Sequence, residues 1–173
     1  VEKSKKDMSR MKQLLANPER MNKLANDIVM HYEKLCAEKP DIIQKAMIVC
    51  DDRARAFELW KLITDLIPNW KEPNRSEYED KLSKEELEKL KPLEKIKVVA
   101  TRRKDDEKDL YEFLGSDKER KELDKQFKNE NSNFKIAIVV DMWITGFDVP
   151  SLSVMYIDKP LQKHTLIQTI SRV

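Results

Sequence analysis

The residues best equipped for chemistry lie in one short stretch, Asp141-Met142-Trp143-Ile144-Thr145-Gly146-Phe147-Asp148-Val149-Pro150. Gly146 is one of only two glycines in 173 residues, and it stands between two carboxylates seven positions apart. A glycine so placed implies a positive φ or a close backbone approach to a ligand, and Pro150 stiffens the exit from the loop. On shape alone the stretch reads equally well as a connection whose aspartates cap helices. Gln168 and Arg172 tip the balance, because residues four apart share one helix face, here about 20 residues downstream of Asp148. Arginine presents a planar fork to phosphate oxygens, and glutamine can donate to a phosphate or orient a water. By itself a Gln-x-x-x-Arg pair also reads as a surface pair; the chemistry it would serve is phosphoryl chemistry.

The glycine count excludes one way of doing it. Only Gly115 and Gly146 are present, and a loop that cradles phosphate needs several close-set glycines so that backbone N–H groups can approach the anion. Neither G-x-x-x-x-G-K-[ST] nor G-x-G-x-x-G can be written anywhere in the chain. A nucleotide handled here is handled without a phosphate loop of the chain's own.

Such residues need a scaffold that gathers loops at one edge, and the apolar pattern supplies it. Short runs at Ala46–Cys50, Ile96–Ala100, Ile136–Val140 and Val154–Ile157 read as buried strands. Helical patterns lie between or after them: Ala54 to about Ile67, Glu107–Leu114, Lys118–Lys128, and from Lys163 onward. Strands alternating with helices predict an α/β fold, a parallel sheet covered on both faces. Ligands of open α/β sheets bind beyond the carboxyl ends of the strands, and the segment after each strand here is polar. The four segments are Asp51-Asp52-Arg53, Thr101-Arg102-Arg103-Lys104, the Asp141–Pro150 loop, and Asp158-Lys159-Pro160.

Residues 1–38 read as an N-terminal helical segment. Met8, Met11, Leu14 and Leu15 recur at helical spacing, as do Met21, Leu24, Ile28, Tyr32 and Leu35, with a break at Asn17-Pro18 that suits a cap and a first turn. His31 has no second His, Cys or carboxylate at ligand spacing, so no metal role is assigned to it. A charged stretch at about 68–95, holding Pro73 and Pro92 and a helix near Lys84–Leu90, reads as an insertion outside the sheet. Between Lys71 and Glu130, 35 of 60 residues are charged, against 7 of 39 from Lys135 to Val173, so the first block is solvated surface and the second holds much of the core. No run of about 18 apolar residues suggests a membrane span, and the lysine-rich start is followed by no apolar stretch of a secretory signal. Cys36 and Cys50 are too few for a disulfide scaffold, which with the rest predicts a cytoplasmic protein. With 34 basic and 32 acidic residues, any nucleic-acid surface must be local. The last helix still runs at Arg172-Val173 without a stop signal, so the chain is read as a piece of a longer one.

At this point the residues carry a family resemblance. The run IAIVVDMWITGFDVPSLSVMYIDKPLQKHTLIQTISRV resembles motifs V and VI of a superfamily 2 helicase, and more narrowly the motor region of the restriction (R) subunit of type I restriction enzymes. Its D-M-W-[IL]-T-G-F-D-x-P, Y-[IL]-D-K-P and L-I-Q-x-I-[SA]-R-V strings carry the likeness, and AMIVCDDRARAFELW, Ala46–Trp60, is similar to the family's motif IV. The resemblance spans about residues 40–173 and is thinnest across the charged middle. It implies the second of two RecA-like lobes of an ATP-driven translocase on double-stranded DNA, with ATP and Mg2+ held between the lobes and the phosphate loop on the first. By position, Gly146 and Asp148 match motif V, with Asp148 near the ribose. Asp141 matches that motif's first Asp, which couples nucleotide state to the DNA side. Gln168 and Arg172 match motif VI, with Arg172 as an arginine finger on the γ-phosphate. The first lobe and the modification and specificity subunits are implied as partners, and the parent as a DNA-cleaving, ATP-hydrolysing enzyme of which this stretch alone is inactive.

Some features depart from the pattern. The family's motif VI continues to a further Arg three positions past Arg172, beyond Val173. Many superfamily 2 helicases have Thr where Val140 stands and Arg where Thr145 stands, so their DNA contacts do not transfer. Arg53, Thr101, Arg102 and Arg103 are candidates for DNA phosphate contacts on strand-end position alone. Asp51-Asp52, Asp141 and Lys159-Pro160 also mimic the acidic Mg pocket and Lys-Pro turn of a receiver-like phosphoacceptor, although that module needs five strands and four are found. A bare interaction domain, docking through 1–38 and 68–93, is a third reading.

Overall fold

The structure is a computed structural model, and it describes residues 2–140 and 148–159. Helices α1 (Glu2–Leu15) and α2 (Pro18–Glu38) open the chain. The break between them has a local cause: the Asn17 side chain accepts a hydrogen bond from the Arg20 backbone N–H at 3.1 Å, and Pro18 sits in the first turn, where its missing N–H leaves nothing unpaired. α2 buries Met21, Ala25, Ile28, Val29 and Tyr32 along one face, whereas α1 buries no residue.

The four described strands are β1 (Lys45–Cys50), β2 (Ile96–Val99), β3 (Ile136–Val140) and β4 (Leu152–Asp158). They are all parallel, in the order β2-β3-β1-β4. Ala46 pairs with Ile136 and the register runs unbroken to Cys50 with Val140. Every residue of β1 and β3 is buried, while the edge strand β4 is mostly half-buried. That is the pattern of continuous apolar runs in the middle of a doubly covered sheet. The helices covering it are α2, α3 (Arg53–Leu66), α5 (Lys108–Leu114) and α6 (Asp117–Lys128), with the short α4 (Lys84–Glu88) outside. This is the RecA-like α/β arrangement expected from the sequence. A flavodoxin-like receiver orders its strands 2-1-3-4-5; here β1 lies between β3 and β4, which removes that alternative.

Alternation along the strands sorts the core into two layers. Ala46, Ile48, Cys50, Ile96, Val98, Ile136 and Ile138 pack with α2, α3 and α5 residues such as Ile28, Leu59, Ile63 and Leu110. Met47, Val49, Val99, Ala137 and Val139 face the other way, onto Leu123 and Phe127 of α6. Each large side chain so buried contributes about 1.5–3 kcal/mol. Between α5 and α6 the chain turns at Gly115, whose φ of 70° belongs to glycine. A Cβ there would lie 2.8 Å from Glu119 Oε2, the carboxylate that caps α6 through Ser116.

Residues 68–95 add no strand to the sheet, but they are fastened to it. Trp70 is buried with its ring edge-on to Tyr32 at 5.7 Å, Asn74 and Leu93 exchange backbone hydrogen bonds at 3.0 Å, and Asn133 N–H donates to the Arg75 carbonyl at 2.9 Å. Cys36 and Cys50 are free thiols, the latter buried. Among the described residues no helix is long and apolar enough to cross a membrane. The helix predicted from Lys163 onward lies outside the described residues.

Candidate functional site at the carboxyl edge of the sheet

The parallel strands bring Asp51, Thr101 and Asp158 to one edge, because each follows or closes a strand running the same way. A cleft of about 420 Å³ opens there, lined by Asp51, Asp52, Arg53, Arg103 and Asp106, with Leu110 and Val140 at its floor and Lys12 of α1 at its rim. Asp52 is the N-cap of α3, accepting from the Arg55 N–H at 2.7 Å. Its contacts are those of a helix cap.

Asp106 organises the cleft. Its carboxylate accepts from Nε of Arg53 at 3.1 Å and again from Arg53 Nη2, and its other oxygen accepts from the Arg103 backbone N–H at 2.6 Å. Burial works against the ionised form at this site, but the hydrogen bonds from Arg53 and Arg103 outweigh it, and the carboxyl is held below the usual aspartate range. One acid therefore pins the start of α3 to the loop after β2. Sequence reading missed Asp106; the one signal for it was its place three residues beyond Arg103, the spacing of a side chain closing its own turn.

A second cluster lies beside it. Asp158, at the end of β4, pairs with Arg20 of α2, and Arg55 of α3 pairs with Asp51. Arg55 also donates from Nη2 to the Asp158 carbonyl at 2.8 Å, and its Nε lies 3.4 Å from Asp158 Oδ2. The charges balance, and Asp51 Oδ1, Arg55 Nε and Asp158 Oδ2 are held by ion pairing within the cluster, whereas Arg20 Nη1 makes no hydrogen bond among the described residues. Burial raises the Asp158 pKa, Arg20 and Arg55 oppose the rise, and it stays above the ordinary value. Burial also pushes the neighbouring Cys50 thiol up to about 12, with Asp158 adding to it.

The structure separates the four strand-end DNA candidates. Arg53 is engaged by Asp106 and only 17% of its side chain is exposed. Thr101 accepts from Arg120 Nη1 at 3.0 Å, and the Arg102 guanidinium lies 4.1 Å from the centre of the Tyr111 ring. Arg103 is exposed, with no carboxylate at its guanidinium among the described residues. Asp148 is exposed beside the buried Val149. Asp141, Gly146, Gln168 and Arg172 lie outside the described residues. His31 donates to or accepts from the Tyr156 hydroxyl at 2.8 Å, which gives it a packing role against β4.

The cleft is of mixed charge. Lys12 and Arg103 are exposed cations on its lining, Arg53 is engaged by Asp106, and Asp51, Asp52 and Asp106 supply three carboxylates. It is an open groove that a polyphosphate could touch from one side, with further donors needed from elsewhere.

Residues 45–173 match the family described as type I restriction enzyme subunit R domain 3. The chain is 34% identical over 161 residues to the type I restriction enzyme HindI endonuclease subunit of Haemophilus influenzae, covering 92% of this chain and 13% of that protein. It is 35% identical over 173 residues to a Methanocaldococcus jannaschii protein assigned as the type I restriction enzyme MjaIXP endonuclease subunit, covering 99% of this chain and 14% of that one. A third relative, the SauCOLORF180P endonuclease subunit of Staphylococcus aureus, is 49% identical over 43 residues, a quarter of the chain. The chain thus spans about one seventh of the length of the first two proteins.

Proposed function

The chain belongs to the family of domain 3 of type I restriction enzyme subunit R, and on that premise we propose that it supplies the second RecA-like lobe of an ATP-driven translocase on double-stranded DNA. The observation that carries this reading is a polar cleft at the carboxyl edge of a parallel sheet, lined by three cations and three carboxylates, in a chain whose two glycines cannot build a phosphate loop. A lobe of this kind completes a nucleotide site whose other half lies on a different lobe.

In this reading Mg2+-ATP supplies the phosphoryl-transfer free energy, and the residues of this chain close on it. Asp148 holds the ribose side, Gly146 lets the backbone approach, and Asp141 relays the state of the site toward the DNA. Gln168 orients a water, and Arg172 stabilises charge developing on the transferred group, a contribution on the order of 10³–10⁵ in rate where arginine fingers have been measured. Arg103, exposed after β2, meets DNA phosphate, while Arg53 acts with Asp106 to hold the loop that carries Arg103. The parent protein would join modification and specificity subunits on DNA and cleave it, with the recognition sequence read elsewhere.

The test compares DNA-stimulated ATPase in a protein of the relatives' full length with that of this chain. Turnover in the long protein and none in this chain is the expected result. Micromolar ATP binding by this chain in calorimetry, or no DNA-stimulated turnover in the long protein, would overturn the reading.

A further inference from the structure

The outer face of α6 is not accounted for by any contact described above. Its inner face is core: Leu123, Gln126 and Phe127 are buried. The positions pointing farthest from these are 118, 121, 125 and 128, and all four are exposed lysines. Their spacing of three, four and three keeps them on one stripe, about 15 Å long at 1.5 Å per residue. Three of the four acidic residues of the helix are engaged off this stripe, and the fourth, Asp124, pairs with its last lysine. Asp117 reaches Arg120 at 3.4 Å, Glu119 closes the capping box with Ser116, and Glu122 accepts from Gln126 at 2.8 Å. Asp124 reaches Lys128 at 3.4 Å. Lys118, Lys121 and Lys125 have no carboxylate within ion-pair distance among the described residues. Like charges three and four apart cost a helix a few tenths of a kcal/mol per pair, a repulsion that a polyanion laid along the stripe would relieve.

The stripe is continuous with the carboxyl edge. Arg120 Nη1 donates to Thr101 Oγ1 at 3.0 Å, which ties the first turns of α6 to the loop that carries Arg102, Arg103 and Lys104. Its composition selects the partner. Protein interfaces are depleted in lysine and centre on aromatic or arginine anchors, and no apolar side chain interrupts positions 118, 121, 125 and 128. Lysine does serve phosphate as a point charge. We infer that Lys118, Lys121, Lys125 and Lys128 form a second contact with the DNA phosphate backbone, extending the strand-end cations along the flank of the lobe. This rests on the DNA-motor reading and names a surface that the cleft does not include.

The test is fluorescence anisotropy of this chain with a mixed-sequence duplex between 50 and 200 mM KCl. Removing one phosphate-binding cation lowers the slope of log K against log[salt] by about 0.9. K118Q/K121Q/K125Q should therefore flatten the slope by up to about 2.7 and weaken binding on the order of 10²-fold at 0.1 M salt. The matching triple Lys→Arg variant should keep the slope, and the thermal midpoint of the Gln variant should be unchanged or higher. An unchanged slope and affinity in the Gln variant overturns the inference, as does failure of the unaltered chain to bind duplex at 50 mM. Loss of poly-glutamate binding with duplex binding retained overturns it in favour of an acidic polypeptide. Duplex binding that falls with Arg103→Gln but not with the triple variant defeats the stripe alone. A flattened slope beside a full-length protein without DNA-stimulated ATPase defeats the motor reading alone.

Discussion

Asp158 is the residue on which the carboxyl edge most depends. Its side chain is 8% exposed, and two guanidiniums, from helices 35 positions apart, converge on it. Two opposing effects meet here: burial disfavours the carboxylate, while Arg20 and Arg55 favour it, and burial prevails by a margin. The folded carboxyl therefore holds its proton to a higher pH than the unfolded one, so this site contributes less stability as pH rises through that window. Asp106 has the opposite sign. Its folded pKa is lowered, so its contribution is present above the unfolded value and is lost as acid protonates the folded carboxyl. Removing Asp158 is nonetheless costly: Arg20, a third exposed, loses its carboxylate, and the buried Arg55 keeps Asp51 but loses its second acid. Asp158→Ala is expected to lower the unfolding free energy by about 1–3 kcal/mol, the cost of leaving buried polar groups without a partner, as measured by urea titration. A loss below about 1 kcal/mol would mean that the cluster behaves as a solvated one.

At the scale of the elements, the amino ends of β1 and β3 hold two lysines that no alternation of apolar and polar residues would place inside. Lys45 is fully buried, donating to the carbonyls of Phe127 and, at 2.8 Å, Asn129; Lys135 is 3% exposed and donates to the carbonyls of Glu130 at 2.9 Å and Ser132 at 2.5 Å. Together they satisfy the turn after α6, whose carbonyls would otherwise be orphaned at a helix end. Burial lowers Lys45 to about 7, with Lys135 adding repulsion, and lowers Lys135 to about 8. Between these values and the ordinary lysine pKa the unfolded chain binds more protons than the folded one, so stability rises with pH. The clean window is pH 7–9; above the ordinary thiol value Cys50, raised to about 12, opposes the climb and offsets one lysine's share of it. Unfolding free energy measured at pH 7, 8 and 9 should climb, by at most about 1.4 kcal/mol per pH unit for each lysine, and Lys45→Met should flatten the climb. A flat or falling profile in the unaltered chain would contradict the burial of these ammoniums. The strands themselves were legible because β1 and β3 are continuous apolar runs buried on both faces, and the α1–α2 break was legible because Asn17 and Pro18 act locally. Lys45 and Lys135 were not, since a lysine reads as a strand boundary until the carbonyls that receive it are brought into place.

At the scale of the whole molecule, the same division holds for the site. That polar residues would line one edge was readable from the segments after the strands, but not that Arg53 is held by Asp106, 53 positions away, or Asp158 by Arg20, 138 positions away. Those partners are set by topology: α2 lies over β4, and the loop after β2 reaches back to α3. Trp70 was hidden for a similar reason, a core residue inside a stretch whose composition is that of surface. On the proposed function the edge so assembled is half of a site: it is lined by Lys12, Arg53 and Arg103 and by Asp51, Asp52 and Asp106, and among the described residues it carries no element able to enclose a triphosphate. In the motor reading the division of labour between lobes becomes measurable at Arg172. A phosphate loop on another lobe would bind the nucleotide in the ground state, and an arginine from this lobe would act on charge that develops only in the transition state. In a protein of full length, Arg172→Ala should lower DNA-stimulated kcat by about 10³ or more while changing nucleotide affinity several-fold at most. Single-turnover kinetics with equilibrium nucleotide binding separates the two quantities. If affinity falls as far as turnover, Arg172 binds ground state and transition state alike and is a docking group; if neither falls, the nucleotide site is built without this helix.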